Sequence, residues 1–335
     1  MATDPQPPAV PFDRRKIYRP FLERLNPIGP VRDLVADDLI VRRDHDQCDS
    51  GQPPIHVALA NAAELSRGMQ IALVGGIGSG KTTELRLTQE KLSRHSDAVN
   101  ILLDLADLTD LSELNPGAIL AAAGIVLYSR LTERQQIPQV ESAYAQLHAL
   151  AFGETREYRP DAPPDLPAPV DVPGLLKFRF LALRREVKQV RELLLSIASP
   201  LLENDAQITL LIDGLDRLIR AERFREFAEQ DLYALRGTKI TVIVVAPLLL
   251  LYDKSRFLDT FDDFKHIRAA ANPLDSDFLR QILERRGALE LMHRRDIESA
   301  AEYSGGVLRD LVTLAHSAAQ YAYGDDKDLM YLFTA

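Results

Sequence analysis

Between Gly75 and Thr82 the chain reads Gly-Gly-Ile-Gly-Ser-Gly-Lys-Thr, the spacing G-x-x-x-x-G-K-[ST]. Glycines in such a run let the backbone curl until successive N–H groups point inward, and a helix beginning near Lys81 adds the positive end of its dipole. A cradle of that kind takes a phosphate chain. Lys81 then reaches the β- and γ-phosphates as a point charge, the Thr82 hydroxyl ligates Mg2+, and Thr83, one residue further into the helix, suits the α-phosphate. The expected binding set is Gly75, Gly76, Ile77, Gly78, Ser79, Gly80, Lys81, Thr82 and Thr83, with ATP and Mg2+ as ligands. The bland alternative is a glycine-rich turn with an incidental lysine. The apolar run Gln70–Val74 directly before the loop and the helical pattern Lys81–Leu92 directly after it weigh against that alternative.

A phosphate loop of this type needs a carboxylate on a neighbouring strand to hold the Mg2+ shell. Ile208-Thr-Leu-Leu-Ile-Asp213 is a hydrophobic strand ending in an acid, and parallel sheets bind ligands at the carboxyl ends of their strands. Asp213 is the metal candidate, through water. Gly214-Leu215-Asp216-Arg217 follows, and Asp216 lies where the chain can turn back toward the γ-phosphate, as the water-positioning or general-base group. Read blandly, Asp213 and Asp216 are turn and cap residues for the helix after Arg217. The chemical reading predicts that Lys81→Ala abolishes nucleotide binding and that Asp216→Asn spares binding but removes turnover.

The elements that must position these groups follow the βαβ rhythm of a parallel sheet covered by helices. Buried strands are expected at Gln70–Val74, Val99–Leu105, Ile208–Ile212 and Lys239–Val245. Helices are expected from Lys81 to Leu92, from Pro116 to about Arg134, from Leu175 to about Ser199 and from Arg217 to Leu235. Prolines crowd the stretch 153–173, which is read as an exposed, extended loop. Beyond Asn272 the pattern is helical. The expected division is an N-terminal arm or strap over 1–55, an α/β P-loop NTPase core over 56–271, and a small helical lid over 272–335.

GGIGSGKTTEL together with LLIDGLDRL resembles the P-loop ATPases of the AAA+/STAND assemblage, over about Gln70 to Tyr323. The ordinary AAA+ pattern has Glu directly after the metal Asp. Gly214 stands there, so the chain is more similar to the NACHT and KAP groups, which carry a D-G-L-D or D-D-L-D strand. The resemblance implies nucleotide binding and hydrolysis used to switch or drive assembly, with bacterial signalling or defence against phage as a setting; slow hydrolysis is expected because this chain departs from the family pattern at Ala246. The resemblance also implies a polar γ-phosphate sensor after the next strand, where Thr241-Val-Ile-Val-Val-Ala-Pro247 has Ala246 instead. Arg256, Lys265 and Arg268 are candidates for an arginine presented to a neighbouring subunit, against the ordinary reading of solvated surface charges. Ser304-Gly-Gly-Val-Leu-Arg309 looks like the sensor-two turn of an AAA+ lid, with Arg309 able to swing onto the γ-phosphate; a helix cap with Arg309 paired to an acid fits equally. The catalytic candidates are thus Lys81, Asp216, Arg256 and Arg309. YSGG at 303–306 also matches part of the ABC-transporter signature, but it follows the acidic strand rather than preceding it.

Composition bounds the partners. The 335 residues are 46% hydrophobic and 27% charged, which supports a sizeable core and excludes disorder throughout. The lone Cys48 excludes an intramolecular disulfide framework, and the proline-interrupted Ile240–Tyr252 is too short for a membrane span. A cytoplasmic protein with no membrane partner is expected. The 40 Lys+Arg against 49 Asp+Glu give a net charge of −9, which weighs against nucleic acid as the main partner. Lys177, Arg179, Arg184, Arg185, Lys188 and Arg191 form a basic stretch that is either a solvated face or a phosphate-contacting surface. The expected partners are therefore ATP and either a second copy of the chain or a separate effector protein. A DNA-directed AAA+ ATPase of initiator or clamp-loader type is the alternative.

Overall fold

The structure is a computed structural model describing residues 13–26, 38–42, 53–94, 98–108, 110–132, 137–153, 178–218, 220–252, 257–270 and 276–325. The chain divides into two compact units: Pro53–Gly76 with Lys81–Arg268, and Met1–Gln52 with Ile77–Gly80 and Ala269–Ala335.

The first unit is built on an all-parallel sheet of β1 (Gln70–Gly75), β2 (Ala98–Asp104), β3 (Gln207–Asp213), β4 (Ile240–Ala246) and β5 (Asp263–Ile267), in the order β2-β3-β4-β1-β5. β1 and β4 are buried along their whole length, as their largely apolar sequences require for strands covered on both faces, with Gln70 and Thr241 the buried polar residues. The side-chain period of two sorts the core. Ile71 and Leu73 join Leu59, Ala63, Leu85 and Leu92 of the helices Ile55–Leu65 and Lys81–Leu92 on one face. Ala72 and Val74 join Ile119, Leu147, Leu194 and Phe227 of the helices Ala118–Thr132, Pro138–Phe152, Val187–Glu203 and Ala221–Phe227 on the other. Each fully buried Leu or Ile here contributes about 1.5–3 kcal/mol relative to exposure.

Several features depart from the sequence expectations, among them the helix expected over 217–235, which is a 3-10 turn ending at Arg217 and a separate helix that begins at Ala221 and passes into a π turn. β5 was not anticipated, because Asp263, Lys265 and His266 leave this edge strand only partly buried and without a clear apolar alternation. Lys265, a candidate for presentation to a neighbouring subunit, lies within it and pairs with Asp263 at 2.8 Å. The single helix expected over 175–199 is two, Phe180–Arg185 and Val187–Glu203, broken at Glu186, where the Glu186 N–H is shared between the carbonyls of Ala182 and Leu183. The second piece tolerates Pro200 in its last turn. The carbonyl of Ser196, deprived of a proline N–H, accepts the Ser199 hydroxyl at 2.9 Å instead. Of the proline-rich stretch, only Gly153 lies within the described residues.

The second unit packs Phe278, Leu283, Ile297, Leu311 and Ala315 from the helices Ser276–Arg285, Arg294–Tyr303 and Leu308–Gly324 into one cluster. The N-terminal helix Arg14–Arg24 contributes Tyr18 and Phe21 to it. Arg286 is buried there and pairs with no carboxylate among the described residues; its guanidinium donates to the carbonyls of Arg24 (3.1 Å) and Ile282 (3.0 Å), near the carboxyl ends of two helices. Burial pushes that guanidinium down to about 10. Among the described residues no helix is long and apolar enough to cross a membrane.

Candidate functional site

The chemistry-bearing residues of the first unit gather at the carboxyl ends of β1 and β3, which β4 separates. β1 ends at Gly75 and the helix opens at Lys81, so the loop lies between a buried strand and a helix N-terminus, the context its spacing demanded. Lys81 is buried. Its ammonium donates to the carbonyls of Gly75 (3.0 Å) and Gly76 (2.8 Å) and pairs with Asp216 Oδ2 at 3.0 Å. The Thr82 hydroxyl donates to Asp213 Oδ2 at 2.6 Å, while Asp213 Oδ1 accepts the N–H of Gly214 at 2.8 Å. Thr83 sits on the first turn of the same helix, half-buried.

Asp213 is the electrostatic centre of this group. Burial pushes its carboxyl up, with the nearby Asp104 and Asp216 acting in the same direction, whereas the Thr82 hydroxyl and Arg217 pull it down. Gly214 explains why no acid follows Asp213. Its φ is +99°, a conformation L side chains rarely adopt, so a glutamate there would be strained. Leu215 is fully buried and anchors the short 3-10 turn Leu215–Arg217, which presents Asp216 to Lys81. One oxygen of Asp216 is on the lysine; the other, Oδ1, is buried and takes no donor among the described residues.

Asp104 is the residue that sequence reading missed. It ends β2 and stands opposite Asp213 in the parallel register, with Oδ1 accepting the N–H of Ala106 at 3.2 Å. The signal was available: an acid closing a second buried strand beside the first.

Ile77–Gly80, the tip of the loop, belongs to the second unit together with the turn before Leu308–Gly324. The Arg309 N–H donates to the Gly78 carbonyl at 3.3 Å, and a Cβ on Gly78, whose φ is +77°, would stand 2.7 Å from the Arg309 Cβ. Only glycine fits there. Among the described residues the buried Ser79 hydroxyl has no hydrogen-bond partner, as expected of a group in a loop shaped for a ligand. The Arg309 side chain itself is exposed.

The remaining candidates are scattered. Arg268 is exposed just past β5, and Arg256 lies outside the described residues. Ala246 ends β4 fully buried, level with Val74 of β1, so the expected sensor position carries no polar group. The break at Glu186 divides the basic stretch: Arg191 donates to the carbonyl of Ala234, Arg179 packs on Gly153 and Arg184 pairs with Glu226 at 3.8 Å, while Arg179, Arg184, Arg185 and Lys188 are all exposed. Lys177 lies outside the described residues. Among the described residues no group of three or more His, Cys, Asp or Glu side chains forms a protein-only metal cage. The Thr82–Asp213 oxygen pair fits Mg2+, which keeps several waters and takes one or two carboxylates plus phosphate rather than a dedicated cage.

No protein-family model matches the sequence, and no curated protein matches it. Solved structures do. The chain is similar to Drosophila ORC bound to DNA, at 16% identity over 99% of this chain and 67% of that one, with a TM-score of 0.50. It is similar to the Aeropyrum pernix ORC2 protein in its ADPNP–ADP complexes, at 14% identity over 83% of this chain and 64% of that one, TM-score 0.46. The ADP form of that protein gives 15% identity, 88% and 71% coverage, and a TM-score of 0.44. Sheet order, phosphate loop and acidic strand are those of an α/β P-loop fold, a five-stranded parallel sheet flanked by helices, and the first of these likenesses shares that fold.

Proposed function

We propose that this protein binds Mg2+–ATP at the loop Gly75–Thr82, hydrolyses it slowly, and uses the difference between loaded and empty site to switch a partner protein. The observation that carries the reading is the convergence of two side-chain pairs, Lys81 with Asp216 and Thr82 with Asp213, at the ends of β1 and β3. Lys81 neutralises the β- and γ-phosphates, and Thr82 with Asp213 holds the hydrated metal, which when bound spreads the charge developing on the phosphates. Asp216 accepts a hydrogen bond from the attacking water. The apolar Ala246 removes one γ-phosphate contact, in keeping with slow turnover. The Asp213-Gly-Leu-Asp216 strand end supports a STAND-type switch, with signalling or defence as its setting, and a second copy or a separate effector as its partner.

Purified protein should bind a fluorescent ATP analogue and release phosphate from ATP only with Mg2+ present. No binding at about 1 mM nucleotide, the upper end of ordinary KM values, would overturn the reading. Asp104 belongs to the same assignment, as a carboxylate orienting the metal's water shell beside Asp213. Asp104→Asn should raise the Mg2+ concentration needed for half-maximal ATP binding about tenfold, the usual cost of losing an outer-shell partner, while leaving affinity measured in excess EDTA unchanged.

A DNA-directed ATPase is the second reading. It is favoured by the coverage of 99% of this chain by a likeness to a DNA-bound protein and by the exposed Arg184, Arg185 and Lys188. The net charge of −9 counts against it. DNA stimulation of turnover, with binding that falls steeply as salt rises, would select it over the partner switch.

A further inference from the structure

A lysine ammonium has three N–H donors, and in this structure all three of Lys81 are satisfied by protein: the carbonyls of Gly75 and Gly76 and the carboxylate of Asp216. The pair is dry, with side-chain exposures of 5% for Lys81 and 14% for Asp216. Dependence runs both ways, because Asp216 Oδ1 takes no donor and Lys81 is the one side chain satisfying this carboxylate among the described residues. A triphosphate that needs Lys81 must therefore displace Asp216 and bring its own negative charge beside that carboxylate. Asp216 cannot retreat far, since the adjacent Leu215 is locked in the core.

We propose that Asp216 is an affinity-setting exchange partner for the phosphate-binding lysine. It holds Lys81 in the empty site, yields it to the β- and γ-phosphates, and then satisfies its vacated oxygen with the O–H of a water. Water is thus ordered at Asp216 only after the lysine has moved to phosphate. This inference rests on the ATP-binding reading above and adds a specificity to it. The competition is strongest against ligands that reach Lys81, so removing it favours triphosphate over diphosphate and does nothing for a monophosphate that stops short of the lysine. A carboxylate that served turnover alone would leave affinity unmoved, whereas an exchange partner opposes binding while serving turnover.

The experiment is a titration of the full chain with fluorescent ATP, ADP and AMP analogues in Mg2+, for wild type and Asp216→Asn, with thermal melts to establish folding. Asp216→Asn should bind the triphosphate about tenfold more tightly, the diphosphate less so and AMP unchanged, because a buried competing charge has gone. Phosphate release should fall about a hundredfold, the ordinary contribution of one acid–base group. In a Lys81→Met background the gain in affinity should vanish, since the exchange has lost its lysine. Should Asp216→Asn fail to fold, Asp216→Ser, which keeps a small polar side chain, takes its place in the same titration. A folded variant that binds ATP no more tightly than wild type overturns the exchange while leaving the ATP-binding reading intact. A wild type that binds no nucleotide overturns both.

Discussion

Lys81→Met is expected to lose ATP binding by more than about a hundredfold and to unfold at markedly lower denaturant than wild type. The binding loss follows from removing the point charge that meets the β- and γ-phosphates in a loop whose other donors are neutral backbone N–H groups. The stability loss has a separate cause. Asp216 is 14% exposed, and with Lys81 gone its charge stays buried with no partner, a change that costs about 3–5 kcal/mol when one member of a buried pair is removed. Adding Asp216→Asn to Lys81→Met removes the stranded charge, so the double variant should recover most of the lost stability and none of the lost binding. Urea midpoints and nucleotide titrations on wild type, both single variants and the double variant separate the two effects. Equal stability of Lys81→Met and wild type would show that the ion pair does not hold the DGLD turn in place. Unchanged ATP affinity in Lys81→Met would remove the loop from the function.

How much of this was legible in the sequence depended on how local each feature is. The loop was readable because its glycines, Lys81 and Thr82 must be adjacent to do their work, and because Gln70–Val74 is apolar at every position but its first, as a strand buried on both faces must be. Asp213 was readable for the same reason, at the end of an apolar run. β5 was not: an edge strand has one neighbour and wet flanks, so Asp263, Lys265 and His266 satisfy solvent and leave no periodic signature. The break at Glu186 was hidden because basic and apolar residues alternate across it as they would along one helix, while Leu183 beside it is buried close to Gly117, far away in sequence. Asp104 is local in position but becomes meaningful only through the parallel register that sets it opposite Asp213. The Lys81–Asp216 pair is fully non-local. Both residues were assigned to the site, yet nothing in their spacing says that one occupies the other before a ligand arrives.

The same non-local logic governs a second buried acid, remote in sequence from the residues it serves. Asp231 lies in the π-helical turn Ala228–Leu232 and is fully buried. Its two oxygens accept the backbone N–H groups of Gly117 and, at 3.2 Å, Ile119, two of the donors left unsatisfied at the start of the helix Ala118–Thr132. Asp231→Ala strands both N–H groups in the core. At about 1–3 kcal/mol for each buried donor left unpaired, the expected loss is about 2–6 kcal/mol, large against the 5–15 kcal/mol stability of ordinary domains. Asp231→Asn keeps a carbonyl oxygen for one of the donors and should lose less. Its effect on pH dependence is distinct. Burial pushes the Asp231 carboxyl up to about 7, against the downward pull of the two N–H groups, from an ordinary value of 3.8. Between those two pH values the folded chain holds a proton that the unfolded chain has released, so this group's contribution is full below about pH 4 and is lost as pH rises through about 7. Wild-type stability should accordingly decline from pH 4 to pH 7 relative to Asp231→Asn, and the two curves should run parallel above pH 8. Urea denaturation at half-unit intervals across that range tests it, and parallel curves throughout would mean that Asp231 stays ionised in the core, held by the helix terminus it caps.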